Sequence, residues 1–288
     1  MDGESFEKII KHIKYYNEAK ENKDFAKFHI NKNSGANFCI AQTKDEVLFI
    51  FLSSKKTFKF IREYEQYKRN LKIEDEREAS KITFEEVVKN IPENKFMNYC
   101  QNKKLNNVFR NTKIKNFMHS PLKQDRYCYY DFFYHKLKFY VHTGFVLLYN
   151  TIAPELTKEV KYYLNNTNKK IVFIGFSFAS ILARLAYLVY FLKYPTKLDR
   201  VECYLYSTPN IGNKYFEKYY ETLHRKEKYR RLFIVNFSND CVYNMMSKRF
   251  GFRHMKSTLL IKTNNEKRKI YTSKDYEEKL DFFGIKFC

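Results

Sequence analysis

The stretch of this chain whose residue types and spacing could do chemistry is Gly175-Phe176-Ser177-Phe178-Ala179. It has the G-x-S-x-G form with alanine in the last place, and the form has a mechanical reason. Where a strand turns sharply into a helix, the residues two before and two after the serine come close together, so both must be small. The strained corner then lifts the hydroxyl clear of the sheet. A serine presented in this way becomes a nucleophile for acyl transfer once an imidazole takes its proton and a carboxylate orients that imidazole. Two later loop residues could complete the set: Asp240, just after the apolar run LFIVNF, and His254. The five-residue pattern alone is common by chance, and what raises it is its placement between IVFI and an apolar helix.

The elements that must position these residues read as an alternation. Residues 2–28 have helical spacing; 37–42 (NFCIAQ) and 46–52 (EVLFIFL) read as strands, and 58–90 is charged with helical spacing. Strand 138–142, helix 150–165 with Pro154 near its start, strand 170–174, helix 178–192, strand 201–206, helix 213–224 and strand 231–236 follow. That succession predicts an α/β fold with a mostly parallel sheet flanked by helices. The apolar run from Ile171 to Leu192 is long enough to cross a bilayer. Its β-branched start, the small cluster at Gly175, Ala179 and Ser180, and Arg184 in its middle favour a buried strand, turn and helix instead.

Composition bounds the rest. A chain of 288 residues, 44% hydrophobic, can bury one sizeable core, and a single domain over 1–288 is expected. The richness in Lys, Asn, Ile, Tyr and Phe, with no Trp, suits an AT-rich genome of the kind found in some viruses and parasites. The net charge of +22 favours anionic partners, with a dense basic stretch over 101–126, although a solvated basic surface is the plainer reading. The six cysteines, at 39, 100, 128, 203, 241 and 288, form no C-x-x-C and no metal-ligand spacing with histidine, which reads as reduced thiols in an intracellular compartment. The N-terminus lacks the apolar core of a secretory signal. With no G-x-G-x-x-G, no P-loop and no metal-ligand cluster, neither a cofactor nor a metal is expected.

Six places in one order resemble the class 3 lipases. Phe51-Leu52-Ser53-Ser54, with Phe60-Ile61 and Glu63, resembles F-R-G-[ST]; Val141-His142-Thr143-Gly144-Phe145 matches V-H-x-G-F; Gly175 to Ser180 follows the elbow G-H-S-L-G-G. Thr208 to Asn213 resembles S-P-R-V-G-N; Val235-Asn236 with Asp240-Cys241-Val242 resembles V-N-x-x-D-x-V; and Phe252-Arg253-His254, running into Leu259-Leu260-Ile261, resembles Y-x-H before a last strand. The departures are Leu52 for Arg, Ser53 for Gly, Phe176 for His, and Ala179-Ser180 for two glycines.

The resemblance implies an α/β-hydrolase fold and a serine lipase or esterase acting on acylglycerols or glycerophospholipids through an acyl-enzyme. Ser177, Asp240 and His254 would be its triad, in the hydrolase chain order. The backbone N–H of Phe178 would be one oxyanion donor, and Ser54 the other by resemblance, the alternative for Ser54 being a helix N-cap. His142 is read as structural. The long interval between Phe51 and Val141 predicts an inserted, partly helical cap over 64–126, where class 3 lipases carry a lid, and its basic stretch could sit on an anionic membrane surface. No specific nucleic-acid partner is expected. A second class of reading stays open: a non-catalytic α/β-hydrolase-fold protein that binds membrane or nucleic acid through its basic surface.

Overall fold

In the computed structural model the described residues are 3–30, 35–57, 61, 70, 143–193, 199–212, 216–217, 231–243, 259–262, 271–272, 274–276 and 278. Strands expected at 37–42 and 46–52 form as β2 (Asn37–Gln42) and β3 (Glu46–Leu52). The later strands are β4 (Lys170–Phe176), β5 (Val201–Tyr206), β6 (Leu232–Phe237) and β7 (Leu259–Ile261). The expected strand at 138–142, the cap at 64–126 apart from Asn70, and most of the expected helix at 213–224 lie outside the described residues.

The N-terminal region departs from the single helix expected over 2–28. Helix α1 spans Gly3–Glu21 and stops there. Asn22 accepts the amide of Asp24 and starts a short 3-10 turn at Lys23–Phe25; Ala26 is already extended, and β1 (Lys27–Ile30) pairs antiparallel with β2. An asparagine that bonds the backbone two residues on offers an alternative to helix, and here it wins. The expected helix at 150–165 is likewise shifted. Helix α2 (Thr143–Asn150) ends where Thr151 turns its hydroxyl back to Leu148 O (2.7 Å), and α3 (Ala153–Asn166) begins with its proline in the first turn, where no donor is missed.

The strands form one seven-stranded sheet in the order β1-β2-β3-β4-β5-β6-β7, antiparallel through the first three and parallel from β3 onward. Parallel strands added consecutively in one direction place right-handed crossovers on one face. That face is covered by α2, α3 and α4 (Phe178–Lys193), which pack on Phe49, Phe51 and Phe173. The other face is covered by α1, through Ile9, Ile10, Ile13 and Tyr16, and by Tyr271 and Tyr276 near the C-terminus. With both faces covered, β4, β5 and β6 are buried almost throughout, which is why their sequences are mostly apolar, with Glu202 and Asn236 as buried polar exceptions.

The apolar run at 171–192 is thus strand β4, a tight turn and helix α4, and no helix among the described residues is long and apolar enough to cross a membrane. Arg184, the charge that argued against a lipid setting, is buried on α4. It pairs with Glu217 at 2.5 Å and lies over the ring of Phe216 at 5.0 Å. A buried guanidinium needs such a partner, since an unpaired charge in the core is strongly destabilising. Cys39, Cys203 and Cys241 are free thiols. Burial pushes the Cys39 thiol up to about 12, which leaves it unreactive.

Candidate active site

Chain direction brings the candidate residues to one edge. Strands β3 to β7 run parallel, so the loops after β3, β4, β5 and β6 all emerge at the carboxyl end of the sheet, where ligand sites form in open α/β folds. Ser54 follows β3, Ser177 follows β4, Ser207 follows β5 and Asp240 follows β6.

Ser177 sits at the corner between β4 and α4 with φ of 56°, the left-handed region that costs an L-residue roughly 1–2 kcal/mol. Neighbouring groups hold it there. Its N–H donates to Tyr206 O (2.9 Å), and its carbonyl accepts both the N–H (3.0 Å) and the hydroxyl (2.5 Å) of Ser180. The corner is so tight that a Cβ at Gly175 would lie 2.5 Å from Ser180 Cα and 2.7 Å from Ala179 O. Any larger residue at 175 would have to push the start of α4 away, so the glycine is a packing requirement of the turn. Phe178 opens α4 and its ring packs on Phe145 of α2 at 5.5 Å, which ties the Gly144-Phe145 motif to the elbow. As the first residue of a helix, Phe178 belongs to the turn whose amides face out of the helix end.

Asp240 is fully buried. Its Oδ1 accepts the Val242 N–H (2.7 Å), while Oδ2 accepts the Ser207 hydroxyl in a very short bond and the Tyr276 hydroxyl at 3.5 Å. Burial raises the carboxyl above the ordinary aspartate range, and these neutral donors offset only part of that shift. Ser207 itself has φ of 51° and donates its N–H to Val235 O (2.9 Å). Tyr206 and Ser207 therefore bridge the two candidates: the first is bonded to the backbone of Ser177, the second to the carboxylate of Asp240. Asn236 adds a further brace, accepting the N–H of Thr208 at 2.7 Å.

Ser54 is engaged in a cap. Its N–H donates to Thr57 Oγ1 (3.2 Å), its hydroxyl donates to Gly35 O (3.0 Å), and the Thr57 N–H reaches back to its Oγ (3.4 Å). Gly35 can approach so closely because it has no side chain and has φ of 71°; a Cβ there would lie 2.4 Å from Ser54 Oγ. His254 and His142 lie outside the described residues.

The sequence reading singled out Ser177, Asp240 and Gly175 but did not name Ser207 and Tyr276, which the structure brings against the same residues. Ser207 stands immediately before the Thr-Pro-Asn motif, and a polar residue at the end of an apolar strand was its only local signal. Tyr276 left none, because its contact with Asp240 crosses 36 positions of sequence.

A profile of the lipase (class 3) family matches residues 100–250, a span that holds Ser177 and Asp240. Among solved structures, lipase II from Rhizopus niveus superposes with a TM-score of 0.52 at 13% identity, covering 88% of this chain and 79% of that one. A triacylglyceride lipase from Rhizomucor miehei gives 0.47 at 13% identity over 87% and 76% of the two chains. The lipase from Rhizopus microsporus var. chinensis gives 0.49 at 12% over 88% and 73%. No curated protein sequence matches the chain. The profile covers more than half of the chain and the Rhizopus niveus lipase shares its α/β fold, so this protein belongs to the class 3 lipase family and is a serine lipase that hydrolyses lipid esters.

Proposed function

We propose that Ser177, Asp240 and His254 carry out this hydrolysis as a triad, on acylglycerols or glycerophospholipids. The observation that carries the assignment is the elbow: a buried serine held at positive φ by Tyr206 and Ser180, on the same sheet edge as a buried carboxylate. Ser177 Oγ attacks the ester carbonyl as His254 takes its proton, and the oxyanion that forms accepts the N–H of Phe178. Collapse breaks the ester C–O bond, and the alcohol leaves with the proton from His254. Water, activated by the same imidazole, then releases the fatty acid and restores Ser177. Ionised Asp240 stabilises the imidazolium in both halves.

Ser54 is the proposed second oxyanion donor. Its N–H must exchange Thr57 Oγ1 for the oxyanion, a change confined to the cap at 54–57.

One domain spans 1–288 in this reading, with 64–126 an inserted cap whose basic stretch docks on anionic lipid. Exposed charges attract such a surface over a distance that salt shortens. Hydrolysis of anionic vesicles should then fall steeply between low and high salt while a soluble short-chain ester is cleaved at a nearly constant rate. Equal responses would exclude docking. The chemistry itself is tested by fluorophosphonate labelling and by hydrolysis of a panel of fatty-acyl esters and phospholipids. Wild type should be labelled and active, and Ser177→Ala neither; a labelled Ser177→Ala protein would move the nucleophile elsewhere.

A further inference from the structure

The edge strand β1 carries a polar group with no use in the hydrolysis. His29 pairs in register with Phe38 of β2, and its ring lies flat on the Phe38 ring, with centroids 4.6 Å apart and planes at 6°. That stacking fixes the imidazole against α3. Facing it, one helical turn apart, are Glu155 and Glu159. His29 Nδ1 lies 3.8 Å from Glu155 Oε1, and His29 Nε2 lies 3.7 Å from Glu159 Oε1. Each of the three residues offers one ligand atom such that all lie within 4.8 Å of one another.

These separations are too long for hydrogen bonds. His29 Nε2 is nonetheless buried with no hydrogen-bond partner, beside a buried Glu159. A buried polar atom left in that state destabilises the fold unless something fills the gap. Donors about 2.0–2.2 Å from one tetrahedral cation stand roughly 3.4 Å apart, so a small side-chain rotation converts this arrangement into a coordination shell. We propose that His29, Glu155 and Glu159 bind one divalent first-row transition-metal ion of the Zn2+ type, with water completing the shell. An imidazole with two carboxylates suits such ions better than Ca2+ or Mg2+, which prefer oxygen alone.

Two groups compete for the position. Lys27 Nζ is 3.1 Å from Glu159 Oε1 and Lys158 Nζ is 3.7 Å from Glu155 Oε1, and both exposed side chains must swing into water when the metal enters. The site joins β1 to α3, and β2 and β3 separate it from β4 and the elbow, so the ion would clamp the sheet edge and take no part in the reaction.

Zinc chloride titrated into the full chain after chelator treatment, followed by calorimetry and thermal unfolding, tests the site. One Zn2+ per chain should bind and raise the unfolding midpoint. His29→Gln and Glu155→Gln should each weaken that affinity at least about tenfold, the range seen when metal-site residues are changed. Glu155 is half exposed, so its variant keeps the fold readable if His29→Gln does not fold. Lys27→Met should tighten binding, because it removes the nearer of the two competitors. Absence of saturable Zn2+ binding, or unchanged affinity in both Glu155→Gln and a folded His29→Gln, would overturn the proposal.

Discussion

The two ends of the parallel sheet bury carboxylates in opposite ways. At the amino end, Glu46 at the start of β3 pairs with Lys11 (2.7 Å) and lies 3.4 Å from His12, and Glu202 on β5 pairs with Lys170 (3.1 Å) and accepts the hydroxyl of Tyr204 (2.8 Å). Burial alone would raise the Glu46 carboxyl, but His12 and Lys11 bring it down to about 2. Glu202 is lowered as well, against its burial, by Tyr204 and Lys170. At the carboxyl end, the donors to Asp240 among the described residues include the hydroxyls of Ser207 and Tyr276 and the amide of Val242, and its pKa stays raised. One end has its charges compensated inside the fold. The other holds a buried carboxylate whose pKa stays raised, on the same edge as two serines at positive φ. Backbone strain and raised carboxyl groups gather at sites where a fold works on something else, and ionised Asp240 would stabilise an imidazolium formed during hydrolysis.

The comparison breaks most visibly at Ser177. Ser177→Ala should fold as wild type does, since alanine fits the corner, and lose about 10⁴–10⁶ in ester hydrolysis. Circular dichroism with a kinetic assay checks both halves, and activity within about tenfold of wild type defeats the assignment. Asp240→Asn should lose about 10⁴ in kcat and yet unfold at a higher temperature at neutral pH. The sign follows from the raised pKa: the folded state holds that proton more tightly, so the contribution is present below the unfolded value and lost as pH rises through the folded one. Asparagine removes the burden of the buried charge, by about 1 kcal/mol. The gap from wild type should close as pH falls toward 4, near the ordinary aspartate value. An Asp240→Asn protein less stable than wild type at pH 7 would mean that the local donors outweigh burial. Asp199 lies before β5, at the amino end, and Asp199→Asn should leave activity intact.

Ser207 gives a smaller, separable effect. Removing one hydrogen bond to a charged group is worth about 1.5–3 kcal/mol, so both Ser207→Gly and Ser207→Ala should lower kcat by roughly tenfold or more. Glycine relieves the positive φ and alanine does not, so the glycine variant should be the more stable of the two. Equal kcat for wild type and Ser207→Gly would show that the hydroxyl does not position Asp240.

The smallest change in activity belongs to the amino end. Glu46→Gln should leave kcat/KM unchanged but destabilise the fold at pH 7 by about 1–3 kcal/mol. A depressed carboxyl contributes stability above its unfolded pKa, near the ordinary 4.5, that is lost as pH falls toward about 2. Unfolding curves for variant and wild type should therefore converge across that window. A constant difference down to pH 2 would assign the loss to packing instead of charge.

Features that depend on neighbours in sequence were legible without the fold. Apolar runs bounded by polar residues marked β2 and β3 at their observed ends, and the small residues flanking Ser177 marked the elbow, because a strand buried on both faces and a tight corner restrict residue types locally. The end of α1 was missed because Asn22 bonding its own backbone competes with helix on nearly equal terms, and pairing of β1 with β2 decided the outcome. Contacts across the sheet lie beyond any local rule. Whether Ser54 caps a turn or faces a substrate depends on the carbonyl of Gly35. What neutralises Arg184 depends on Glu217, and which groups hold Asp240 depends on Ser207 and Tyr276. The sequence determined which residues could do chemistry. The tertiary structure alone decided which groups each buried carboxylate meets, because burial and pairing arise only when distant segments pack.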